Sequence, residues 1–333
     1  MSTFFLQKIR PALAPVRNQY TQSQRLYKAK MTRPFSSFIV TPKDLHDELR
    51  KNTSTKSPKT IPVSAEWFLP NDGRDGRQEF LQLRIPGARF FDLDTIKDPV
   101  SPYPHMVPTA SIFTEAMKYL GISRDDTVVV YDSPALGIFS APRAAWTFKV
   151  FGHPKVHLLN NFKQWVDGGY PTESGPEKPI AKTEYPVVVP NHGMISTFEE
   201  IKGIAQDNTN CKKIQIIDAR PNGRWAGKDP EPRPGLSSGH VPRSISLPFS
   251  SLIDPTTKGL KSAEELKEVL FRSGVDPSSD VEKRLMCGTG VTAVVLDVAL
   301  EQAGFGGNRK VYDGSWTEWA QRVDESSGLI VKS

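Results

Sequence analysis

Cysteine is scarce in this chain of 333 residues, which contains only Cys211 and Cys287. Two cysteines cannot build a disulfide framework, and they lack the spacing of metal ligands, so we expect a reducing compartment and neither a metal nor another cofactor. Long apolar runs are also missing, because none approaches the roughly 18 to 20 residues that a membrane helix needs. The sequence therefore predicts a protein that is not a disulfide-stabilised secreted domain and has no membrane partner.

Acidic residues are absent from residues 1–40, which hold seven basic ones. Residues 41–333 contain 36 basic and 37 acidic residues, so they carry a net charge of −1 although the whole chain carries +6. The positive charge thus belongs to the N-terminus. A nearly neutral remainder argues against direct binding of nucleic acid.

Residues 1–35 have the composition of a mitochondrial transit peptide, because they are basic, free of acids and contain Ser, Thr, Gln and aromatic residues. The run Arg-Pro-Phe-Ser at residues 33–36 resembles a cleavage site of the matrix protease. We therefore expect the mitochondrial matrix as the location, with a disordered basic tail as the alternative. Met31 could serve as an internal start and give a cytoplasmic form as well.

Strand and helix patterns alternate from residue 38 onward, and their order occurs twice. The β-branched run at residues 127–131 is typical of a buried parallel strand. In the second half, Ser262 and Glu265 form a capping box for a helix that continues to Arg272. Alternation of this kind predicts an α/β fold with mostly parallel sheets flanked by helices.

Three landmarks keep the two halves in register. Pro86 matches Pro242 at an offset of 156, Trp165 matches Trp319 at 154, and Cys287 falls on Asp132 at 155. The repeat predicts two tandem domains, at residues 36–170 and 191–325, joined by a proline-rich linker at residues 171–190. Because an aspartate lacks the nucleophilic thiol of Cys287, we expect the first domain to be catalytically inactive and to lend one wall of a cleft.

Cys287 lies between a predicted strand at residues 281–286 and a predicted helix at residues 291–303. Gly288 and Gly290 flank Thr289, so the backbone can curl tightly and turn successive N–H groups inward. A thiolate at this point would be stabilised by the positive end of the helix dipole. The alternative is a structural cysteine in a glycine turn, which is how we interpret Cys211, where no such glycines follow.

These residues resemble the tandem rhodanese-domain sulfurtransferases over about residues 38–325. The loop Cys-Gly-Thr-Gly-Val-Thr at residues 287–292 is similar to the C-G-S/T-G-V-T loop of 3-mercaptopyruvate sulfurtransferases, whereas thiosulfate sulfurtransferases carry C-R-K-G-V-T. The further matching segments are Phe90-Phe91-Asp92-Leu93-Asp94, Ser101-Pro102-Tyr103-Pro104-His105-Met106, Ser140-Ala141-Pro142-Arg143, Pro230-Glu231-Pro232-Arg233 and Tyr312-Asp313-Gly314-Ser315-Trp316.

The resemblance implies a fold of two tandem rhodanese-like domains and a reaction at Cys287. The thiolate would take sulfur from 3-mercaptopyruvate as a persulfide and release pyruvate, which is covalent catalysis of the ping-pong kind. Thioredoxin, cyanide or another thiol would then accept the sulfur. A protein sulfur carrier, as in tRNA thiolation, is a further acceptor that the resemblance implies.

The resemblance also assigns roles to residues around the thiol. It places Arg224 and Arg233 on the substrate carboxylate, which a planar guanidinium can grip bidentately. It assigns proton movement to Thr289, Asp94 and His105. The remaining members of the predicted substrate-binding loop are Gly288, Gly290, Val291 and Thr292.

Three alternative functions differ in how well the sequence supports them. A cysteine-dependent phosphatase needs an arginine six residues after the cysteine, where Ala293 stands, and this excludes it. A thiosulfate sulfurtransferase is disfavoured, because a small dianion suits two cations beside the sulfur and Gly288 and Thr289 are neutral. A non-catalytic rhodanese-like binding module stays open, because Lys283 and Arg284 precede the loop in a strand that should not bury unpaired charges.

Overall fold

The computed structural model describes residues 34–52, 58–207 and 213–333. Residues 37–333 form one compact unit. The predictions for residues 1–33, including the internal start at Met31, and for Cys211 lie outside the described residues. In the described part, no helix has the length and apolar character required to cross a membrane.

The first half of this unit contains a five-stranded parallel sheet ordered β1-β5-β4-β2-β3. The strands are β1 (Ile39–Val40), β2 (Thr60–Ser64), β3 (Arg89–Phe90), β4 (Thr127–Tyr131) and β5 (Val156–Leu159). Its helices are α1 (Pro42–Leu49), α2 (Gly76–Gln82), α3 (Ala110–Tyr119), α4 (Ala141–Val150) and α5 (Phe162–Asp167). The central strand β4 is buried along its whole length, as its β-branched sequence predicts.

The second half repeats this arrangement with a sheet ordered β6-β10-β9-β7-β8, again parallel throughout. The strands are β6 (Ile195–Ser196), β7 (Ile214–Asp218), β8 (Ile245–Ser246), β9 (Glu282–Met286) and β10 (Arg309–Tyr312). The helices are α6 (Phe198–Gln206), α7 (Asn222–Trp225), α8 (Ala263–Arg272), α9 (Ala293–Gln302) and α10 (Ser315–Arg322), with short 3-10 helices at His192–Met194, Phe249–Leu252 and Glu325–Ser327.

The two sheets match strand for strand, which confirms the predicted α/β fold with two similar sheets. Central strands β4 and β9 occupy equivalent positions, so Asp132 and Cys287 each directly follow the middle strand of a sheet. Carboxyl ends of parallel strands are where open α/β folds place their ligand sites. Helix α8 begins at the predicted Ser262–Glu265 capping box. By contrast, α2 begins at Gly76, although the polar, glycine-containing sequence of residues 71–77 predicts a loop.

The charged strand β9 is neither short nor disrupted, contrary to the concern that its sequence raises. It pairs over its length with β7 and along three residues with β10. Lys283 is fully buried, and its ammonium donates to the carbonyl oxygens of Ser278, Val281 and Gly306 at 3.0, 2.9 and 2.8 Å. Arg284 forms an ion pair with Glu282. Both charges are thus partnered, so the strand is formed up to Cys287.

Candidate active site

The Cys287 loop is hydrogen-bonded to the first turn of α10. The N–H of Cys287 donates to the Ser315 hydroxyl at 3.1 Å. The Gly288 carbonyl accepts from the N–H of Thr317 at 2.9 Å and from its hydroxyl at 2.8 Å. The Cys287 side chain is buried, with 2% of the residue exposed. Hydrogen bonds at the Cys287 N–H and at the Gly288 carbonyl therefore fix the backbone that carries the thiol.

Gly290 is required by the shape of the loop. Its φ is +74°, and a Cβ built on it would lie 2.7 Å from the Asp313 carbonyl oxygen and 2.9 Å from a guanidinium nitrogen of Arg143. The backbone N–H groups of residues 288–292 donate no hydrogen bond to any residue that the structure describes. Adjacent free donors before the N-terminus of α9 form an environment that suits a thiolate or the negative charge of a substrate.

A chain of hydrogen bonds leads from the loop to the first half of the molecule. The Thr289 hydroxyl lies 3.1 Å from Nδ1 of His105, and Nε2 of His105 lies 3.1 Å from a carboxylate oxygen of Asp94. The indole N–H of Trp67 donates to the other carboxylate oxygen of Asp94 at 3.0 Å, and the Trp67 ring meets the imidazole edge-on. The bond from Trp67 therefore orients the Asp94 carboxylate that lies against His105.

The protonation states along this chain follow from burial and contact. Burial lowers the pKa of His105, so its imidazole is neutral near pH 7. The hydrogen bond from His105 lowers the pKa of Asp94, which keeps the carboxylate ionised. Because an ionised carboxylate can only accept, we assign the imidazole proton to Nε2, and Nδ1 is then an acceptor for the Thr289 hydroxyl. The arrangement can draw a proton away from Thr289.

Two arginines lie near the thiol but differ in their bonding. Two N–H groups of Arg224 donate to one carboxylate oxygen of Glu231, and the other oxygen accepts from Arg220 at 2.7 Å. A Cβ built on Gly288 would lie 3.3 Å from Arg224, so this guanidinium borders the loop. Arg233 donates no hydrogen bond to the described residues. Burial lowers its pKa while the negative charge of Cys287 opposes that effect, which places its guanidinium within electrostatic reach of the thiolate.

Comparison with known proteins identifies the family. The model of the rhodanese-like domain matches residues 203–322. Thiosulfate sulfurtransferase TUM1 of Saccharomyces cerevisiae is 43% identical over 278 residues, which cover 80% of this chain and 90% of that protein. The chain belongs to the rhodanese family of sulfurtransferases. A probable 3-mercaptopyruvate sulfurtransferase of Schizosaccharomyces pombe is 38% identical over 295 residues, covering 88% of this chain and 96% of that protein.

Solved structures of sulfurtransferases share the whole two-sheet architecture. The crystal structure of the Tum1 protein from Saccharomyces cerevisiae has a TM-score of 0.80 and 39% identity, and covers 88% of this chain and 97% of that one. A sulfur transferase subunit described as sub-stoichiometric in the yeast mitochondrial complex I has a TM-score of 0.76 and 37% identity, and covers 89% and 100%. The tandem rhodanese fold is therefore shown, and with it membership of the sulfurtransferases.

In this rhodanese pair, the loop of the first half is filled by its own aspartate. The buried Asp132 carboxylate accepts from the N–H groups of Phe139, Ser140 and Ala141 at 2.8, 3.1 and 2.8 Å, and from the Ser140 hydroxyl at 2.6 Å. These donors lie at the N-terminus of α4, and the free donors of the Cys287 loop likewise precede α9. The Asp132 carboxylate therefore accepts the hydrogen bonds of this loop itself, and the loop contains no thiol.

The structure brings Cys287, Thr289, His105 and Asp94 together, with Arg224 and Arg233 beside them. Val291 and Thr292 are buried, and their carbonyls accept from the first residues of α9, so they shape the loop from behind. Sequence reasoning missed the residues that support this rhodanese site, which are Trp67, Arg143, Asp313 and Ser315. The last three lie inside the motif segments quoted above, whereas no sequence pattern connects Trp67 with Asp94.

Proposed function

We propose that this sulfurtransferase takes sulfur from 3-mercaptopyruvate, holds it as a persulfide on Cys287 and passes it to a thiol such as thioredoxin. The observation that carries the proposal is the hydrogen bond between a neutral imidazole and the hydroxyl of Thr289, two residues after Cys287 in a loop that contains no cationic side chain. A substrate whose own charge lies away from its sulfur suits such a loop. Its transferred sulfur also bears a proton that must be moved.

The first half-reaction can be written on these residues. The Cys287 thiolate attacks the substrate sulfur, a sulfur–sulfur bond forms, and the carbon–sulfur bond breaks with its electron pair moving into an enolate of pyruvate. Thr289 receives the proton of the substrate thiol and passes its own to Nδ1 of His105. The charge of Asp94 stabilises the imidazolium that results. Return of that proton to the methylene carbon completes pyruvate.

The arginines would bind the other end of the substrate. Arg233 has its guanidinium free of described partners, so it can form a bidentate pair with the carboxylate of 3-mercaptopyruvate. Arg224 already shares its charge with Glu231, which holds it against Gly288 and leaves it a smaller net charge to offer. The free N–H groups of the loop would stabilise the negative charge that develops on the ketone oxygen.

We further propose that the mature enzyme acts in mitochondria. The composition of residues 1–35 supports this, as does the likeness to a sulfur transferase subunit of the yeast mitochondrial complex I. The protein is then organised as an inactive first domain at residues 36–170, a linker at 171–190 and a catalytic domain at 191–325. A protein sulfur carrier is the second acceptor that we propose, because the family resemblance includes tRNA thiolation.

Thiosulfate is the second candidate donor, since a relative with 43% identity is named thiosulfate sulfurtransferase. Steady-state turnover with each donor, with cyanide as a common acceptor, decides between them. We expect a higher kcat/KM with 3-mercaptopyruvate, and a higher value with thiosulfate would overturn the proposal. The matched variant carries Gly288→Arg with Thr289→Lys, which places two cations after the thiol and should move the preference toward thiosulfate.

A further inference from the structure

Arg143 connects the two halves of the molecule at the active loop. It lies on α4 of the first half, with 1% of the residue exposed. One guanidinium nitrogen donates to the His105 carbonyl and to a carboxylate oxygen of Asp313 at 2.5 Å, and another donates to the Gly290 carbonyl at 3.3 Å. The Arg143 side chain thus binds the carbonyl of His105 and the carbonyl of Gly290, which is the residue next to Thr289.

Asp313 completes this connection from the second half. It is buried, and its second carboxylate oxygen accepts from the N–H of Val107 at 2.8 Å. Arg143 and Asp313 therefore fix the backbone on both sides of Met106, at His105 and at Val107. Both charges are buried and paired with several partners, so removing one would leave the other uncompensated.

The two carbonyls that Arg143 holds belong to residues with a left-handed backbone. His105 has φ of +62° and Gly290 has φ of +74°. For His105, which has a Cβ, this conformation is unfavourable and persists only where surrounding contacts impose it. The position of the imidazole follows from this backbone. The bonds of Arg143 to the carbonyls are therefore contacts that direct His105 toward Thr289.

We propose that Arg143 is a positioning residue for sulfur transfer, because it sets the hydrogen bond between Thr289 and His105 by fixing the carbonyls of Gly290 and His105. It does not touch the reacting sulfur. Lysine at this position would keep a positive charge beside Asp313, but a single ammonium on a flexible stem cannot reproduce the planar fork that spans three acceptors. Arg143→Lys therefore loosens the positioning while it retains the buried charge.

The first test observes His105 directly and needs no substrate. In protein labelled with nitrogen-15 at histidine, the ring signals of His105 are assigned by their loss in His105→Gln. We expect Arg143→Lys to move the Nδ1 signal in the same direction as Thr289→Val does. The control is Arg84→Lys, because Arg84 is also buried and bonds to a carboxylate and to a carbonyl, at 3.0 and 2.8 Å, away from the loop. An unchanged His105 signal in folded Arg143→Lys would overturn the inference.

The second test is a double-mutant cycle on turnover and rests on the proposed function for its donor. Arg143→Lys should lower kcat by about 10-fold, and add less than about 2-fold when Thr289 is already valine, because both changes remove the same interaction. Independent, multiplicative losses would show a general structural role and sink the idea. If the wild-type protein turns over neither donor, the proposed function fails while the histidine signals still decide the role of Arg143.

Should Arg143→Lys not fold, Asp313→Asn serves in both experiments. It keeps an acceptor oxygen for Arg143 and weakens the same connection. We expect it to move the His105 signals in the same direction, with a smaller displacement. If the His105 signals of folded Asp313→Asn equal those of the wild type, the proposal is contradicted.

Discussion

The hydroxyl of Thr289 lies 3.1 Å from Nδ1 of His105, although 184 residues separate them in the chain. His105 lies in a loop of the first half and Thr289 in a loop of the second, so the hydrogen bond joins the two rhodanese halves. The first half has no thiol in its own loop, where Asp132 accepts four hydrogen bonds instead. It nevertheless supplies His105 and Asp94. Because the site takes residues from both halves, there is a physical reason for the rhodanese half that has no thiol.

Replacement of Thr289 by valine should lower kcat for 3-mercaptopyruvate roughly 10²-fold with little change in KM, because the proton relay acts in the transition state. Stopped-flow measurement of pyruvate release checks this. Thr289→Ser is the matched control, since it keeps the hydroxyl and should retain most of the activity. Valine and serine variants with equal kcat would contradict a role for the hydroxyl.

Replacement of Arg233 by glutamine should lower kcat/KM for 3-mercaptopyruvate by about 10- to 100-fold, which corresponds to the roughly 1.5 to 3 kcal/mol of a charged hydrogen bond. Much of the loss should appear in KM, because the carboxylate is bound in ground state and transition state alike. Arg272→Gln removes an exposed charge on α8 and serves as the control. Equal kinetics in the two variants would exclude Arg233 from substrate binding.

Replacement of Glu66 by glutamine should make the protein more tolerant of alkaline pH. Glu66 is buried beside Ser64, and burial raises its pKa from 4.5 to about 8. Because the folded pKa lies above the unfolded one, the neutral carboxyl contributes stability below about pH 4.5, and that contribution is lost as pH rises toward 8. The loss is at most about 5 kcal/mol.

Denaturant titrations at pH 5 and pH 9 measure this effect as the free energy of unfolding. The free energy of unfolding of Glu66→Gln should rise relative to that of the wild type from pH 5 to pH 9. The control Glu264→Gln, at an exposed glutamate on α8, should keep a constant difference from the wild type. A constant difference between Glu66→Gln and wild type across this range would show that Glu66 does not titrate as its burial requires.

Much of the fold was predictable because the chain repeats itself. The shared positions of Pro86 and Pro242 and the shift from Cys287 to Asp132 indicate two similar units, and the structure has two sheets with the same strand order. Helix α2 was not predictable, because its polar sequence presents little apolar periodicity and only Phe80 is buried. The buried state of Lys283 was also unpredictable, since its three acceptors are carbonyls, which every residue has.

The site was predictable where a motif is local and unpredictable where it depends on tertiary contact. Two glycines beside Cys287 indicate a curled loop from the sequence alone. The motif resemblance suggests His105, but not which of its nitrogens faces Thr289. Arg143 and Asp313 pair although 170 positions separate them in the sequence, and the local sequence around neither residue indicates its partner. The bond of Trp67 to Asp94 is of the same kind.

The central claim is that Cys287 carries the transferred sulfur, and a mass measurement on its peptide tests this most directly. The protein is mixed with one equivalent of 3-mercaptopyruvate without an acceptor, alkylated and digested without reductant, while released pyruvate is determined in parallel. The account predicts that the Cys287 peptide gains one sulfur atom for each pyruvate released, and that Cys287→Ser releases none. Pyruvate release with an unmodified Cys287 peptide, or sustained turnover by Cys287→Ser, would contradict it.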